Sequence, residues 1–255
     1  MTDLLASPAF WGSLTTLTFL EIILGIDNLL FVSIAVQKLK GKELILARRA
    51  GVWGAMALRI VMLSGIFWIT QLDQNPILTF PNGLADLIGR DDPHAREAFT
   101  EVTIKDLILF AGGLFLLWKG TQEIHSAVEG TDHEAASAKA AFGAVIVQLV
   151  VINVVFSLDS VITAIGLTDI LTVMIAAVVL STIVMAIAAK PLGEFLERHP
   201  TTKMLALAFI LLIGVALVAD GAGFHIPRGY LYFAIAFSLG VEMLNIRARR
   251  KASRA

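Results

Sequence analysis

Leu20-Glu21-Ile22-Ile23-Leu24-Gly25-Ile26-Asp27-Asn28 sits inside an otherwise apolar run covering about residues 10–36. A run of that length crosses the hydrocarbon core of a bilayer, which takes roughly 20 mostly apolar residues. A carboxylate at the bilayer centre costs at least about 2.5 kcal/mol, so an ionisable residue there points to function by default. A second stretch, Ile152-Asn153-Val154-Val155-Phe156-Ser157-Leu158-Asp159-Ser160, repeats the pattern at a constant offset of 132 residues. Glu21 matches Asn153, Gly25 matches Ser157, and Asp27-Asn28 match Asp159-Ser160. Polar and small residues in register within two apolar helices point to an internal repeat.

Working outward, the 255-residue chain is 57% hydrophobic and 16% charged, with a mean hydropathy of +0.80. An ordinary soluble domain is about 45–50% apolar, so this is a membrane protein by composition. A net charge of -1 gives no basic balance for nucleic acid. The absence of cysteine excludes disulfide scaffolds, thiolate zinc sites and cysteine nucleophiles. Seven stretches are candidate spans: about 10–36, 51–70, 105–121, 142–167, 170–189, 204–219 and 229–246. The lead-in has no basic residue and the first apolar stretch contains Glu21 and Asp27, so a cleaved signal peptide is not expected.

With the N-terminus outside, fifteen Lys and Arg fall in cytoplasmic segments and three, Arg90, Arg96 and Arg228, fall outside. This bias sets the orientation and leaves the C-terminus in the cytoplasm. The first and fourth spans then run in opposite senses. The expected fold is an all-α polytopic membrane bundle of seven transmembrane helices, a 3+3 inverted repeat plus one extra helix. Repeat one covers about 10–121, repeat two about 142–221 and the extra helix about 229–246, all in a single transmembrane domain. The third and sixth spans align at an offset of 101, Gly113 with Gly214 and Gly120 with Gly221. Inverted repeats of this kind build secondary transporters whose site lies near the midplane where the repeats meet. The segment 71–104, with Pro76, Pro81, Asn82, Gly83, Asp86, Asp91 and Asp92, reads as a solvated outer loop. The segment 122–140, with Glu123, His125, Glu129, Asp132, His133 and Glu134, has residues able to hold a metal loosely, but such a charge run reads first as a polar cytoplasmic linker.

The donors that the repeat concentrates are carboxylates (Glu21, Asp27, Asp159), amides (Asn28, Asn153) and hydroxyls (Ser157, Ser160). All are oxygen ligands, suited to magnesium, calcium or manganese. Two carboxylates neutralise one divalent cation, and could take protons once it leaves. Met56, Met62, Met174 and Met185 offer soft sulfur, although methionine in an apolar helix usually serves packing. On a regular helix Glu21 and Asn28 share a face while Asp27 points about a third of a turn away. Gly25 either opens the helix there or allows a neighbour to pack closely. Arg59, inside the second span, needs a partner; the candidates are Glu21, Asp27 and Asp159, or escape to the cytoplasmic edge. Asp220 and Glu242, near span ends, are expected to be solvated.

Glu21-Ile-Ile-Leu-Gly-Ile-Asp27-Asn28 together with Phe156-Ser-Leu-Asp159-Ser160-Val-Ile-Thr-Ala resembles the paired signatures of the TerC family of integral membrane proteins, placed with the LysE-type exporters. The likeness extends through His199-Pro200, Ile226-Pro-Arg-Gly-Tyr-Leu-Tyr232-Phe-Ala and Val241-Glu-Met-Leu-Asn245, and is close to the short members without CBS domains. The resemblance implies a multi-pass protein of the bacterial inner membrane that exports Mn²⁺. By position, the family's acidic site falls on Glu21, Asp27 and Asp159, with Asn28 and Ser160 beside the aspartates. The chain departs in carrying Asn153 where close relatives can carry Asp, which leaves the site one formal charge poorer.

The expected metal site is thus Glu21, Asp27, Asn28, Asn153, Asp159 and Ser160, with Arg59 as ion-pair or gating residue. The expected partners are a divalent metal ion and the lipid bilayer, with no nucleic acid and no resident cofactor. Gly112-Gly113 and Gly120 permit close helix contact within the chain or between two copies. Two other readings stand beside transport: a membrane factor that helps fold or metallate other proteins, and an intramembrane enzyme with paired aspartates sharing a proton.

Overall fold

The computed structural model describes residues 8–65, 76–81, 99–129, 138–168 and 170–252. Among them are seven α-helices: α1 (Pro8–Ala35), α2 (Gly41–Ser64), α3 (Ile104–Glu129), α4 (Ala138–Leu167), α5 (Leu171–Arg198), α6 (Pro200–Gly221) and α7 (Arg228–Ala252). In lipid the backbone must satisfy its own hydrogen bonds, and long apolar runs do so as helices. The fold is an all-α polytopic membrane bundle. Six helices are long and apolar enough to cross a membrane. The remaining one, α2, carries Arg48, Arg49 and Arg59 within its 24 residues.

Helix ends depart from the hydropathy boundaries where a helix continues into polar sequence. The second span is expected at 51–70, but α2 starts at Gly41, whose φ of +59° is a left-handed conformation suited to glycine. It ends at Ser64, and the Gly65 N–H closes onto Val61 O at 2.9 Å. Residues 66–70 lie outside the described set. The supposed linker 122–140 is helical through Glu129 as the last turns of α3; Asp132, His133 and Glu134 lie outside the description. Likewise α5 runs past residue 189, through Pro191 to Arg198, with Lys190 and Glu194 3.8 Å apart on successive turns. The segment 71–104, expected as a solvated loop, contains a two-stranded sheet, β1 (Pro76–Thr79) and β2 (Glu101–Thr103). Phe80 N–H extends the pairing by donating to Thr100 O at 2.8 Å. Asn82, Gly83, Asp86, Arg90, Asp91, Asp92 and Arg96 lie outside the described residues.

The helices separate into two compact units. One holds α1, α2, α4 and nearly all of α5; the other holds most of α3 with α6 and α7. The division by packing therefore cuts across the division by sequence repeat. In the first unit, Gly51 of α2 marks a three-helix convergence: a Cβ there would stand 3.0 Å from Val32 of α1 and 3.2 Å from Leu149 of α4. The interior of this unit is lined by Leu17, Val32, Leu63, Ile152, Leu158 and Val178, each at most 3% exposed.

In the second unit α3 and α6 touch through glycine. A Cβ on Gly113 would lie 2.7 Å from both Gly214 O and Val218 N, and one on Gly221 would lie 2.5 Å from Asp106 O and Phe110 N. Gly120 faces Leu211, not its repeat mate Gly221. As α3 advances from 106 to 120 its neighbours on α6 fall from 221 to 211, so the two helices cross antiparallel. Small residues permit this backbone approach, and between apolar helices in lipid such packing is a main source of association. α6 ends in a Schellman motif: Phe224 N–H donates to Ala219 O at 2.8 Å and Gly223 N–H to Asp220 O at 3.0 Å, with Gly223 at φ +76°. Asp220 is not solvated as expected. Its carboxylate accepts from Ile226 N–H at 3.2 Å and from Arg228 Nη2 at 2.8 Å, fastening the start of α7. Glu242 accepts a hydrogen bond from the Thr201 hydroxyl on an exposed surface.

Candidate cation site

The polar residues of the repeat collect in the first unit. Glu21, Gly25 and Asn28 follow one another at helical spacing on α1, and Asn153, Ser157 and Ser160 do the same on α4. Glu21, Asp27, Asn28, Asn153, Ser157 and Ser160 are all buried, none more than 9% exposed. α1 passes through Gly25 as unbroken helix, so the opening envisaged there is absent. Its glycine has the other role. A Cβ at position 25 would run into Met185 Sδ, so the missing side chain lets α5 lay its thioether against α1.

Arg59 finds its partner on α1. Its Nη1 donates to Glu21 Oε2 at 2.7 Å, with the two side chains 1% and 2% exposed. The guanidinium therefore does not snorkel, and among the described side chains it pairs with Glu21. Nε and Nη2 of Arg59 have no hydrogen-bond partner among the described residues. Asn153, the repeat mate of Glu21, also binds α2: its Nδ2 donates to Gly51 O at 3.2 Å. Positions 51 and 59 are two turns apart, roughly 12 Å along the helix. The two repeat-related residues thus grip one helix at two levels. This explains the amide at 153, since an aspartate has no N–H for the Gly51 carbonyl.

These contacts revise the charge count. Glu21 is balanced by Arg59, and the other intramembrane carboxylates of the repeat are Asp27 and Asp159. Asp27 is buried on α1. Asp159 belongs to α4, but its side chain lies outside the described residues. Neutral oxygens lie nearby in sequence. Asn28 Oδ1, Asn153 Oδ1 and Ser157 Oγ are buried without a hydrogen-bond partner among the described residues, while Ser160 Oγ donates to Ser157 O at 3.2 Å. Among the described residues no three His, Asp or Glu side chains group closely enough to hold a metal by themselves. On α3, His125 Nε2 stands 3.2 Å from Glu129 Oε2, both more than half exposed, so these two form a surface pair.

The sequence reading missed one participant and left another undistinguished. The Gly51 carbonyl is a backbone acceptor with no residue signature. Met185 was one of four candidate methionines, and only its position opposite Gly25 distinguishes it.

Comparison with known proteins gives the family. Residues 6–255 match the model described as the integral membrane protein TerC family. The chain is 43% identical over 247 residues to the UPF0053 inner membrane protein YgdQ of Escherichia coli (strain K12), covering 97% of both chains. It is 42% identical over 252 residues to a UPF0053 protein of Haemophilus influenzae (strain ATCC 51907 / DSM 11121 / KW20 / Rd), covering 98% of this chain and 99% of that one. The UPF0053 inner membrane protein YoaE of Escherichia coli (strain K12) is 44% identical over 250 residues, but these make up 45% of its length. No solved structure matches the chain. A family match over nearly the whole length, with long apolar helices and relatives named as inner membrane proteins, places this chain in the TerC family of integral membrane proteins.

Proposed function

We propose that the chain is a secondary transporter of the inner membrane that exports a divalent metal ion, Mn²⁺ foremost, from the cytoplasm by alternating access. The observation that carries this reading is the buried polar seam of α1 and α4, repeated at a constant offset within apolar helices. Asp27 and Asp159 supply two negative charges for one divalent ion, and Asn28, Asn153 and Ser160 supply neutral oxygen, the donor set of a hard or borderline cation. Glu21 contributes through its hold on Arg59, which keeps the guanidinium in place beside α1. When the metal leaves, the same carboxylates are the acceptors for counter-moving protons. The lysine and arginine bias supports an outside N-terminus and a cytoplasmic C-terminus. Manganese is taken from the family resemblance. In this reading the chain moves an ion and catalyses no covalent reaction.

The test is Mn²⁺ flux into sealed proteoliposomes, with an internal pH dye, for the unaltered chain, Asp27→Asn and Asp159→Asn. The expected result is flux that disappears in both variants while the proteins stay folded, with a matching pH change in the unaltered protein. Absence of flux in the unaltered protein, or equal flux in all three, refutes the site and favours the role as a folding or metallation factor.

A further inference from the structure

We infer that the place where Arg48 of α2 meets α5 is a binding site for the phosphate of an anionic phospholipid, with Arg48 as its anchor and Lys190 beside it. The inference stands apart from the transport reading and needs no cation at the seam. Its basis is the setting of the Arg48 side chain. A Cβ on Gly193 of α5 would lie 3.0 Å from Arg48 Nη2, 3.6 Å from Cζ and 4.0 Å from Nε, so the guanidinium lies against the bare backbone of α5. Both residues belong to the first unit. Arg48 is half-buried, whereas Arg49 next to it is exposed. Nε of Arg48 is buried without a hydrogen-bond partner, and among the described residues no carboxylate pairs with this guanidinium. An arginine that only obeyed the charge bias of a membrane surface would reach for water; this one is folded across a glycine of the neighbouring helix.

The level in the membrane suits a headgroup. Arg48 lies just before the apolar stretch that begins at 51, and Gly193 just after the one that ends at 189, each within about 6 Å of helix rise. The lysine and arginine bias assigns this side to the cytoplasm. Trp53, further along α2 and 45% exposed, has the amphipathic ring that settles at membrane interfaces. On α5 an exposed apolar stripe, Leu180, Ile183 and Ile187, runs at helical spacing up to Lys190, itself 75% exposed. Acyl chain fits the stripe, and Lys190 marks where chain gives way to headgroup. Lys190 precedes Gly193 by three residues and is its neighbour on the helix surface. Glu194 stands 3.8 Å from Lys190, too far for a hydrogen bond, so the ammonium keeps its donors for a ligand. Arg48 and Lys190 against Glu194 leave one net positive charge, the complement of a phosphodiester monoanion. A guanidinium fork matches phosphate with two parallel N–H···O bonds, and basic pockets between membrane helices on the cytoplasmic side bind anionic headgroups.

The experiment uses the full chain in a non-ionic detergent and measures phosphatidylglycerol binding by native mass spectrometry, with phosphatidylcholine and inorganic phosphate as the other probes. The proteins are the unaltered chain, Arg48→Gln, Arg48→Lys and Arg49→Gln. The unaltered chain is expected to hold one phosphatidylglycerol more tightly than phosphatidylcholine. Arg48→Gln should weaken that binding about tenfold, the scale of one hydrogen bond to a charged group. Arg48→Lys, which keeps the charge and loses the fork, should weaken it by a smaller factor. Arg49→Gln removes the same charge from the exposed neighbour and should change it by less than about twofold. Equal losses in Arg48→Gln and Arg49→Gln, or no preference for phosphatidylglycerol over phosphatidylcholine, would show a diffuse basic surface and overturn the inference. Inorganic phosphate that displaces the lipid at equal concentration would also overturn it, by making the ligand a free anion. Should Arg48→Gln not fold, Arg48→Lys and Lys190→Gln decide the matter: unchanged affinity in both refutes the site.

Discussion

Neutralising Glu21 should harm the protein more than removing Arg59, although the two form one ion pair. At 2.7 Å two unit charges attract by about 6 kcal/mol at an effective dielectric of about 20. Desolvation costs several kcal/mol per ion, so a pair 1% and 2% exposed contributes little net stability relative to apolar replacements. Breaking it from one side costs more, about 3–5 kcal/mol. The two sides are unequal because a carboxylate can discharge itself by binding a proton, whereas a guanidinium cannot shed one. Glu21→Gln leaves a buried cation whose Nε and Nη2 already lack partners among the described residues. It should fall in the upper part of that range. Arg59→Met should cost about 1–3 kcal/mol, and Glu21→Gln/Arg59→Met should return to within about 1 kcal/mol of the unaltered chain. Thermal unfolding in detergent reads these as midpoints. At about 2–4 °C per kcal/mol for a chain of this size, Glu21→Gln should lose on the order of 10 °C. Single variants that each shift the midpoint by less than about 2 °C, or a double variant that equals their sum, would refute a buried, coupled pair.

Asn153→Asp should cost about 1–3 kcal/mol, because it sets two carboxylate oxygens against the Gly51 carbonyl and removes the N–H that holds it; an unchanged midpoint in the same detergent assay would show the bond is unimportant. Gly221→Ala should cost about 1–3 kcal/mol, because its Cβ would meet backbone atoms of α3 at 2.5 Å and they cannot rotate away. Gly12→Ala is the control, since nothing lies within 4 Å of it; equal midpoints for the two variants would refute the tight crossing.

How much was legible beforehand depends on which physical signal each feature leaves. Spans leave hydropathy, and each of the seven expected stretches meets a helix. The ends leave much less: once α3 emerges beyond Trp118 and Lys119 it stays helical to Glu129 in polar sequence that a hydropathy reading treats as linker. Arg59 announced a need for a partner because an unpaired charge is costly in lipid, but three carboxylates satisfied the arithmetic and only packing shows Glu21 in contact with it. The glycine matches between the third and sixth spans were visible as sequence similarity; that Gly113 and Gly214 touch is a fact of antiparallel crossing, which similarity does not encode. Asn153 looked like a missing charge. Its meaning as a donor required the Gly51 carbonyl, an atom present in every residue type.

The glycine crossing also sets a timetable for synthesis. Gly113 and Gly214 are 101 residues apart. At about 5–20 residues per second, α3 waits roughly 5–20 s after its own translation before the groove that fits it exists. Glu21 and Arg59 are separated by 38 residues, so their charges can meet within roughly 2–8 s at the same rate. The nascent protein therefore quenches its buried charge early and closes its glycine seam late. For that interval α3 presents a narrow, small-residue face to the bilayer, and the membrane insertion machinery or another glycine-bearing helix is its available company. Ribosomes arrested before residue 200 should hold α3 in this state, where crosslinking from position 113 would report its temporary neighbour.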